Sequence, residues 1–195
     1  MDSIIDAGTL LLIVVGWLVT YRLEKNKELE INRLDNQKNH VDIQLAQLYG
    51  PIYGLLLEND RVRHQVQMQF GRTTVFESES PLSKYEERIW VHYLENYFLP
   101  NNRKIIDLIQ RNVHLLQGVK FPKSWITFID YAMGYEIYHK QYKDLGAEYG
   151  FCYIENFPTD FRQDVVEMVS SLKKKQKELV GQNLPSPYRA NQKTT

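Results

Sequence analysis

The residues that could carry acid–base, nucleophilic or metal chemistry are few, and no catalytic motif joins them. The five histidines are His40, His64, His92, His114 and His139. None lies in an H-E-x-x-H motif or at metal-ligand spacing from Cys152, the one cysteine. Glu95 follows His92 at a spacing more typical of a surface contact than of a proton-transfer pair, and no basic neighbour stabilises a Cys152 thiolate. The sequence therefore predicts no metal, no cofactor and no enzymatic activity.

Sequence signatures for phosphate and nucleic-acid binding are absent as well. Neither G-x-x-x-x-G-K nor G-x-G-x-x-G occurs, and 24 basic residues balance 24 acidic ones, whereas nucleic-acid-binding domains are usually basic. One basic run lies near a predicted helix end and consists of Lys173, Lys174, Lys175 and Lys177. These lysines either form a solvated end that the helix dipole favours or contact anionic lipid or a partner's acidic patch. A nucleic-acid partner is not expected.

The elements that would position such residues begin with an apolar stretch near the N-terminus. Residues 7–21 read AGTLLLIVVGWLVTY without a charge, and Arg22, Lys25 and Lys27 follow. This pattern predicts a transmembrane anchor over residues 1–21, although fifteen helical residues rise only about 22 Å. The anchor side chains are expected to be Leu10, Leu11, Leu12, Ile13, Val14, Val15, Trp17 and Leu18. A cleaved signal peptide would need a basic start and a small-residue cleavage site, which are absent; a buried core helix is the other alternative.

The distribution of basic residues orients the predicted anchor. Residues 1–6 hold no Lys or Arg, whereas residues 22–40 hold five. Basic flanks stay on the cytoplasmic side, and a lone cysteine suits a reducing compartment. The sequence therefore predicts a single-pass protein of the bacterial inner (plasma) membrane, with the lipid bilayer as a partner. Its N-terminus is expected outside and its C-terminal domain in the cytoplasm.

Residues 22–50 are predicted to form a juxtamembrane helical stalk. Alternating steps of three and four residues place apolar side chains on one seam, which Lys38 interrupts. The seam residues are Leu34, Val41, Leu45 and Leu48. They predict self-association into a homo-oligomer; the alternative is an amphipathic helix that packs on its own domain. Gly50-Pro51 then predicts a kink or a break, because proline removes a helical hydrogen bond and clashes with the preceding turn.

Residues 51–181 are predicted to form an antiparallel bundle of four or five helices, so the fold class is all-α. Ser83 begins one helix with a capping-box signature and Pro100 ends it. Gly146 ends the helix that Ser124 begins, and Thr159 or Asp160 caps the last. The aromatic residues of these helices are expected in the core rather than on a base-stacking platform. Residues 182–195 lack periodicity and are predicted to be disordered.

Three segments carry a resemblance to a known class of proteins. They are LYGPIYGLL near residue 50, W-x7-F-x-P-x-N from Trp90 to Asn102, and FPTDF near residue 160. Together they resemble an uncharacterised class of small bacterial proteins with an N-terminal membrane anchor and a helical cytoplasmic domain. The resemblance implies that architecture and a bacterial setting, and it implies no reaction.

The predicted function is that of a membrane-anchored cytoplasmic protein-interaction or effector module. The short anchor followed by a heptad seam favours self-association, with an unidentified protein partner and a role in bacterial defence or stress response. The alternative is a membrane-tethered enzyme that uses His92 or His114 with carboxylates from other helices of the bundle.

Overall fold

The computed structural model describes residues 7–76, 81–118, 120–146 and 157–183, and the backbone alone for residues 7–11, 182 and 183. The six α-helices of this part of the chain are α1 (Ala7–Gln44), α2 (Gly50–Phe70), α3 (Lys84–Tyr93), α4 (Leu99–Arg111), α5 (Lys123–Leu145) and α6 (Thr159–Asn183). Two π-helical segments, Leu45–Tyr49 and Leu94–Phe98, and a 3-10 turn, Val113–Leu115, complete the helical structure. No strand occurs among these residues, which confirms the predicted all-α class. Residues 184–195 of the predicted tail, and Cys152, lie outside the described residues.

The predicted transmembrane anchor is wrong. In the described ranges no helix combines the length and the apolar character that a membrane span requires, and the predicted single-pass location in the inner membrane is wrong with it. The uncharged stretch ends at Tyr21 after a rise of about 22 Å, against a hydrocarbon thickness of about 30 Å. The next turn of the same helix already carries Arg22, Glu24 and Lys25. The stretch is the first part of α1, a helix of 38 residues.

The chain divides into two compact units, one of residues 1–42 and 174–195 and the other of residues 43–173. The domain boundaries that the sequence predicts, after residues 21, 50 and 181, stay predictions. In the first unit, the described residues are those of α1 up to Asp42 and of α6 from Lys174 onward. There the Gln176 side-chain amide donates to the Asp42 carboxylate at 2.5 Å, and the Lys38 ammonium lies 3.1 Å from the same group. These two contacts lower the pKa of Asp42, the Gln176 hydrogen bond most.

In the second unit, α2 packs against α3 and α4, and α4 packs against α5. The result is a helical bundle with an aromatic core, as predicted. The Trp125 ring contacts Tyr49 and Phe161 edge-on, and Phe128 stacks on Phe161 at a centroid distance of 4.2 Å. Such pairs add about 0.5–1.5 kcal/mol each to the free energy gained by burying their area.

Neither proline ends a helix, so the predicted helix end at Pro100 is wrong and Pro51 causes no break. The backbone stays helical from α1 through Leu45–Tyr49 into α2, and from α3 through Leu94–Phe98 into α4. In each case a π-helical turn lies directly before the proline, and the residue before Pro51 or Pro100 donates to the carbonyl five residues back. A proline ring inside an α-helix clashes with the carbonyl four residues back. That carbonyl lies within the wider π turn here, so the clash is relieved without a break.

The predicted helix ends are partly confirmed. The capping box is present: the Glu86 amide donates to the Ser83 hydroxyl, and the Ser83 amide donates to the Glu86 carboxylate at 2.8 Å. Gly146 ends α5 with a φ of +61°, a left-handed conformation that glycine adopts without a steric cost. The last helix begins at Thr159 and ends at Asn183, two residues into the segment 182–195 that is predicted to be disordered.

Candidate functional site

The first candidate site is the apolar arm, which we define as residues 12–23 of α1. Nine large apolar side chains of this arm are exposed, each by 47–72% of its surface: Leu12, Ile13, Val14, Val15, Trp17, Leu18, Val19, Tyr21 and Leu23. They include all of the predicted anchor residues except Leu10 and Leu11, whose side chains are outside the described residues. The Trp17 and Tyr21 rings stack one helical turn apart at 5.7 Å. The arm therefore presents large apolar side chains around the whole helix, and no side chain of the described residues covers them.

The four predicted seam residues differ in burial. Val41 and Leu48 have no exposed surface, and Leu34 and Leu45 are half-buried. Side chains of the same chain therefore already cover Val41 and Leu48. Self-association through this seam stays a prediction.

The four lysines of the predicted lipid or partner contact are all exposed on α6. Lys175 lies beside a shallow groove of the first unit that Arg33 and His40 also line. Their contact with a lipid or a partner stays a prediction.

The histidines do not converge. His92 and His114 are both exposed, and within the described part of the chain neither ring is hydrogen-bonded to a carboxylate. The His92 ring contacts the Asn96 amide at 3.3 Å, one turn along its own helix, rather than Glu95. No group of three or more metal-ligating side chains occurs among the described residues.

Glu95 instead pairs with a histidine that the sequence did not single out. The Glu95 carboxylate lies 3.1 Å from the His139 Nε2 and 2.6 Å from the Lys143 ammonium, both on α5. The Lys143 hydrogen bond lowers the pKa of Glu95, and burial lowers the pKa of His139 more than the Glu95 charge raises it. Burial therefore disfavours the charged imidazole, and the His139 Nε2 faces the Glu95 carboxylate. No spacing rule could have revealed this pair, because the two residues lie 44 positions apart on different helices.

The second candidate site is a cavity of about 330 Å³ inside the second unit, which we call the aromatic cavity. Residues of α2, the turn after it, α3, α4 and α5 line it, together with Phe157 before α6. Its aromatic walls are Phe76, Trp90, Phe98, Tyr131, Tyr135 and Phe157. Trp90 meets Phe76 edge-on at 4.9 Å and lies 5.3 Å from Phe98, so these three rings brace one another. The sequence predicted that aromatic residues such as Trp90 and Phe98 are buried in the core, but it did not predict the cavity beside them.

Two of the polar side chains that line the aromatic cavity are Arg63 and Asn102. Arg63 is the one charged side chain among its described lining residues, and its guanidinium lies 5.2 Å from the centre of the Phe157 ring. Asn102 is only 4% exposed, and its side-chain amide has no hydrogen bond to a described residue. The neighbouring Asn101 is buried too, and it donates to the Asn59 amide oxygen at 3.0 Å. The sequence signal available for this site was the pair of adjacent asparagines directly after Pro100. Their burial is unusual, because asparagine is mostly exposed in folded proteins.

Comparison with known proteins identifies no relative of this chain. No family model matches it, and no curated protein or solved structure is similar to it. The resemblance to the uncharacterised bacterial class stays a prediction.

Proposed function

We propose that this protein is a self-associating interaction module and that its apolar arm is the surface through which copies meet. The observation that carries the proposal is the exposure of nine large apolar side chains within the twelve residues 12–23. A helix that is apolar on every side is normally buried, and a large contiguous apolar surface that is exposed marks an interaction site.

The shape of the arm favours a second copy of the same chain as the occupant. A groove on a partner covers one side of a helix and leaves the opposite side in water. Several arms side by side cover more of the circumference, because each helix then meets apolar neighbours in more than one direction.

The charges beyond the arm are compatible with this association. Residues 22–33 hold four basic and three acidic side chains interspersed along the helix. Neighbouring copies can therefore oppose unlike charges in this region, and like-charge repulsion between identical segments stays small.

The contrasting hypothesis of an enzyme that uses His92 or His114 receives less support. Both rings are exposed, and neither has a carboxylate hydrogen-bond partner among the described residues. A general base needs such a partner, or its substrate, within hydrogen-bond reach.

The proposal is tested by sedimentation equilibrium of the full chain over a range of concentrations. We expect reversible association and at least about a tenfold larger dissociation constant for the double variant Val14→Glu, Leu18→Glu, because two carboxylates would have to be desolvated at the contact. The matched control is Leu57→Glu, Met68→Glu, which makes the same change at two exposed positions of α2.

Two results would contradict the proposal. One is a wild-type chain that sediments as a monomer at every concentration. The other is a double variant in the arm that associates as tightly as the control. Binding of the monomeric chain to phosphatidylglycerol vesicles through the arm would likewise replace self-association with a different partner.

A further inference from the structure

We propose that the aromatic cavity binds a small planar aromatic carboxylate, which stacks between its rings, pairs with Arg63 and hydrogen-bonds to Asn102. The site is separate from the apolar arm and adds a small-molecule ligand to the proposed interaction module. Its volume of about 330 Å³ lies at the lower end of the range typical of small-molecule sites.

The walls select a flat, unsaturated ligand. Six aromatic residues line the cavity, and the contacts of Trp90 with Phe76 and Phe98 fix three of these rings in place. On another wall Tyr131 lies 4.9 Å from Tyr135 and 5.4 Å from Phe157. Rings held by one another offer preformed faces and edges to a planar ligand without the cost of ordering side chains on binding.

Arg63 selects a negative charge. It is the one charged group among the described lining residues, and it makes no ion pair in the part of the chain that the structure describes. By contrast, Arg72, Arg103 and Arg162 in the same unit each pair with a carboxylate. A guanidinium that packs against a ring keeps its N–H edge available, and that edge matches the two oxygens of a carboxylate.

No lining group of the described residues opposes an anion. Burial raises the pKa of Tyr131, so its phenol stays neutral at physiological pH. The other polar groups among the described lining residues are hydroxyls, amides and the Trp90 indole N–H, and none of them carries a negative charge.

Asn102 provides the second polar contact. Its amide is more than nine-tenths buried, lines the cavity and has no hydrogen-bond partner among the described residues. An amide can both donate and accept, and buried polar groups in native proteins are nearly always hydrogen-bonded. The ligand therefore provides a hydrogen-bond partner for a buried amide that has none among the described residues.

The test is isothermal titration calorimetry of the full chain with 2-naphthoate and with 2-naphthamide, its neutral analogue of the same shape. We expect 2-naphthoate to bind more tightly to the wild type. Arg63→Gln should weaken 2-naphthoate binding by about tenfold or more and leave 2-naphthamide unchanged, because a hydrogen bond to a charged group is lost for one probe alone. Arg63→Lys should keep part of the preference for the anion.

Three further measurements locate the binding. Asn102→Ala should weaken both probes, and the side-chain amide signals of Asn102 in ¹⁵N–¹H spectra should shift on titration of the wild type. Arg61→Gln, at an exposed position on the same helix, is the matched control and should change neither affinity. Unchanged melting curves show that each variant is folded.

The proposal is overturned if wild-type protein fails to bind 2-naphthoate, or if it binds the acid and the amide equally well. It is also overturned if Arg63→Gln leaves 2-naphthoate binding intact. Loss of binding in the variant Val14→Glu, Leu18→Glu would assign the probe to the apolar arm and contradict the cavity as its site.

Discussion

The apolar arm, residues 12–23, and residues 48–56 belong to one uninterrupted helical run and are both rich in large apolar side chains, yet their burial is opposite. In the second stretch Leu48, Tyr49, Ile52 and Leu56 are buried, at steps of one, three and four residues that define a single helix face. In the arm nearly every position is apolar and exposed. A helix presents one face to the bundle that it belongs to. Apolar residues beyond that face are therefore available to another molecule.

The largest expected difference between the two stretches comes from the same truncation made in each. Leu48→Ala should destabilise the protein by about 2–5 kcal/mol, because it removes fully buried methyl groups and leaves a cavity. In the monomeric chain, at a protein concentration below the dissociation constant of self-association, Leu18→Ala should change stability by no more than about 0.5 kcal/mol, as is usual for an exposed position. Urea unfolding followed by circular dichroism, at one fixed protein concentration, measures both values.

Equal losses in the two variants would contradict the comparison. If Leu18→Ala is destabilising only at high protein concentration, the loss arises from association between copies. That outcome would sharpen the comparison, since it would show the arm to be covered by another chain.

A smaller effect is expected at the turn that connects the two stretches. A Cβ added to Gly50 would lie 2.4 Å from the Leu45 carbonyl oxygen, closer than real side chains approach backbone. Gly50→Ala should therefore cost about 1–3 kcal/mol, because the π-helical turn has to widen. The matched control is Gly54→Ala, one turn further on, where a Cβ would meet nothing within 4 Å. The control should be neutral or stabilise by up to about 1 kcal/mol, since alanine favours a helix interior.

Thermal melting of the two glycine variants measures this difference. The second π-helical turn offers a direct comparison, because the position that corresponds to Gly50 is Leu99 there, a residue that has a Cβ. If Gly50→Ala melts like the wild type, the first turn can adopt the geometry of the second, and the close approach at Gly50 is not a requirement of the fold.

The same two turns show what the sequence could predict about the fold. Periodicity identified the helices, and local chemistry identified the Ser83 cap and the Gly146 end, because these signals act within a few residues. Both prolines were recognised as conflicts with a regular helix. Whether the chain breaks at such a proline or forms a wider helical turn depends on packing on both sides of the turn. These tertiary contacts cannot be predicted from the residues next to the proline.

The candidate sites were less predictable than the fold. The apolar stretch of the arm was evident in the sequence, but what covers such a stretch does not follow from composition. The aromatic cavity depends on Arg63, Asn102 and Phe157, which come from three separate helical segments or their ends. These residues are brought together only by the packing of the bundle. The helical spacing of the aromatic residues therefore predicted a core and did not predict a cavity.

The smallest expected effect concerns pH and the partner of Glu95. Because burial lowers the pKa of His139 in the folded chain, the unfolded chain takes up a proton first as the pH falls. The free energy of unfolding should therefore be highest above the ordinary histidine pKa of about 6.5 and should decrease below it. His139→Gln should remove part of the loss in stability between pH 7.5 and pH 5.5, because glutamine does not titrate. The measurement is urea unfolding of wild type and variant at both pH values.

Two features keep this last expectation testable. The quantity compared is the change in the free energy of unfolding between pH 7.5 and pH 5.5, rather than its value at one pH. The substitution also removes contacts of the His139 ring, but a loss of stability that is equal at both pH values does not imitate the expected result. His92→Gln makes the same change at an exposed ring that contacts Asn96, and this variant should keep the loss of stability that the wild type shows between the two pH values. If His139→Gln keeps that full loss, the pKa of His139 does not differ between the folded and the unfolded chain. A larger loss in the variant than in the wild type would mean that the imidazole is charged beside Glu95 at neutral pH. The cluster of Glu95, His139 and Lys143 would then hold two cations against one carboxylate, and its structural role in the bundle would have to be argued anew.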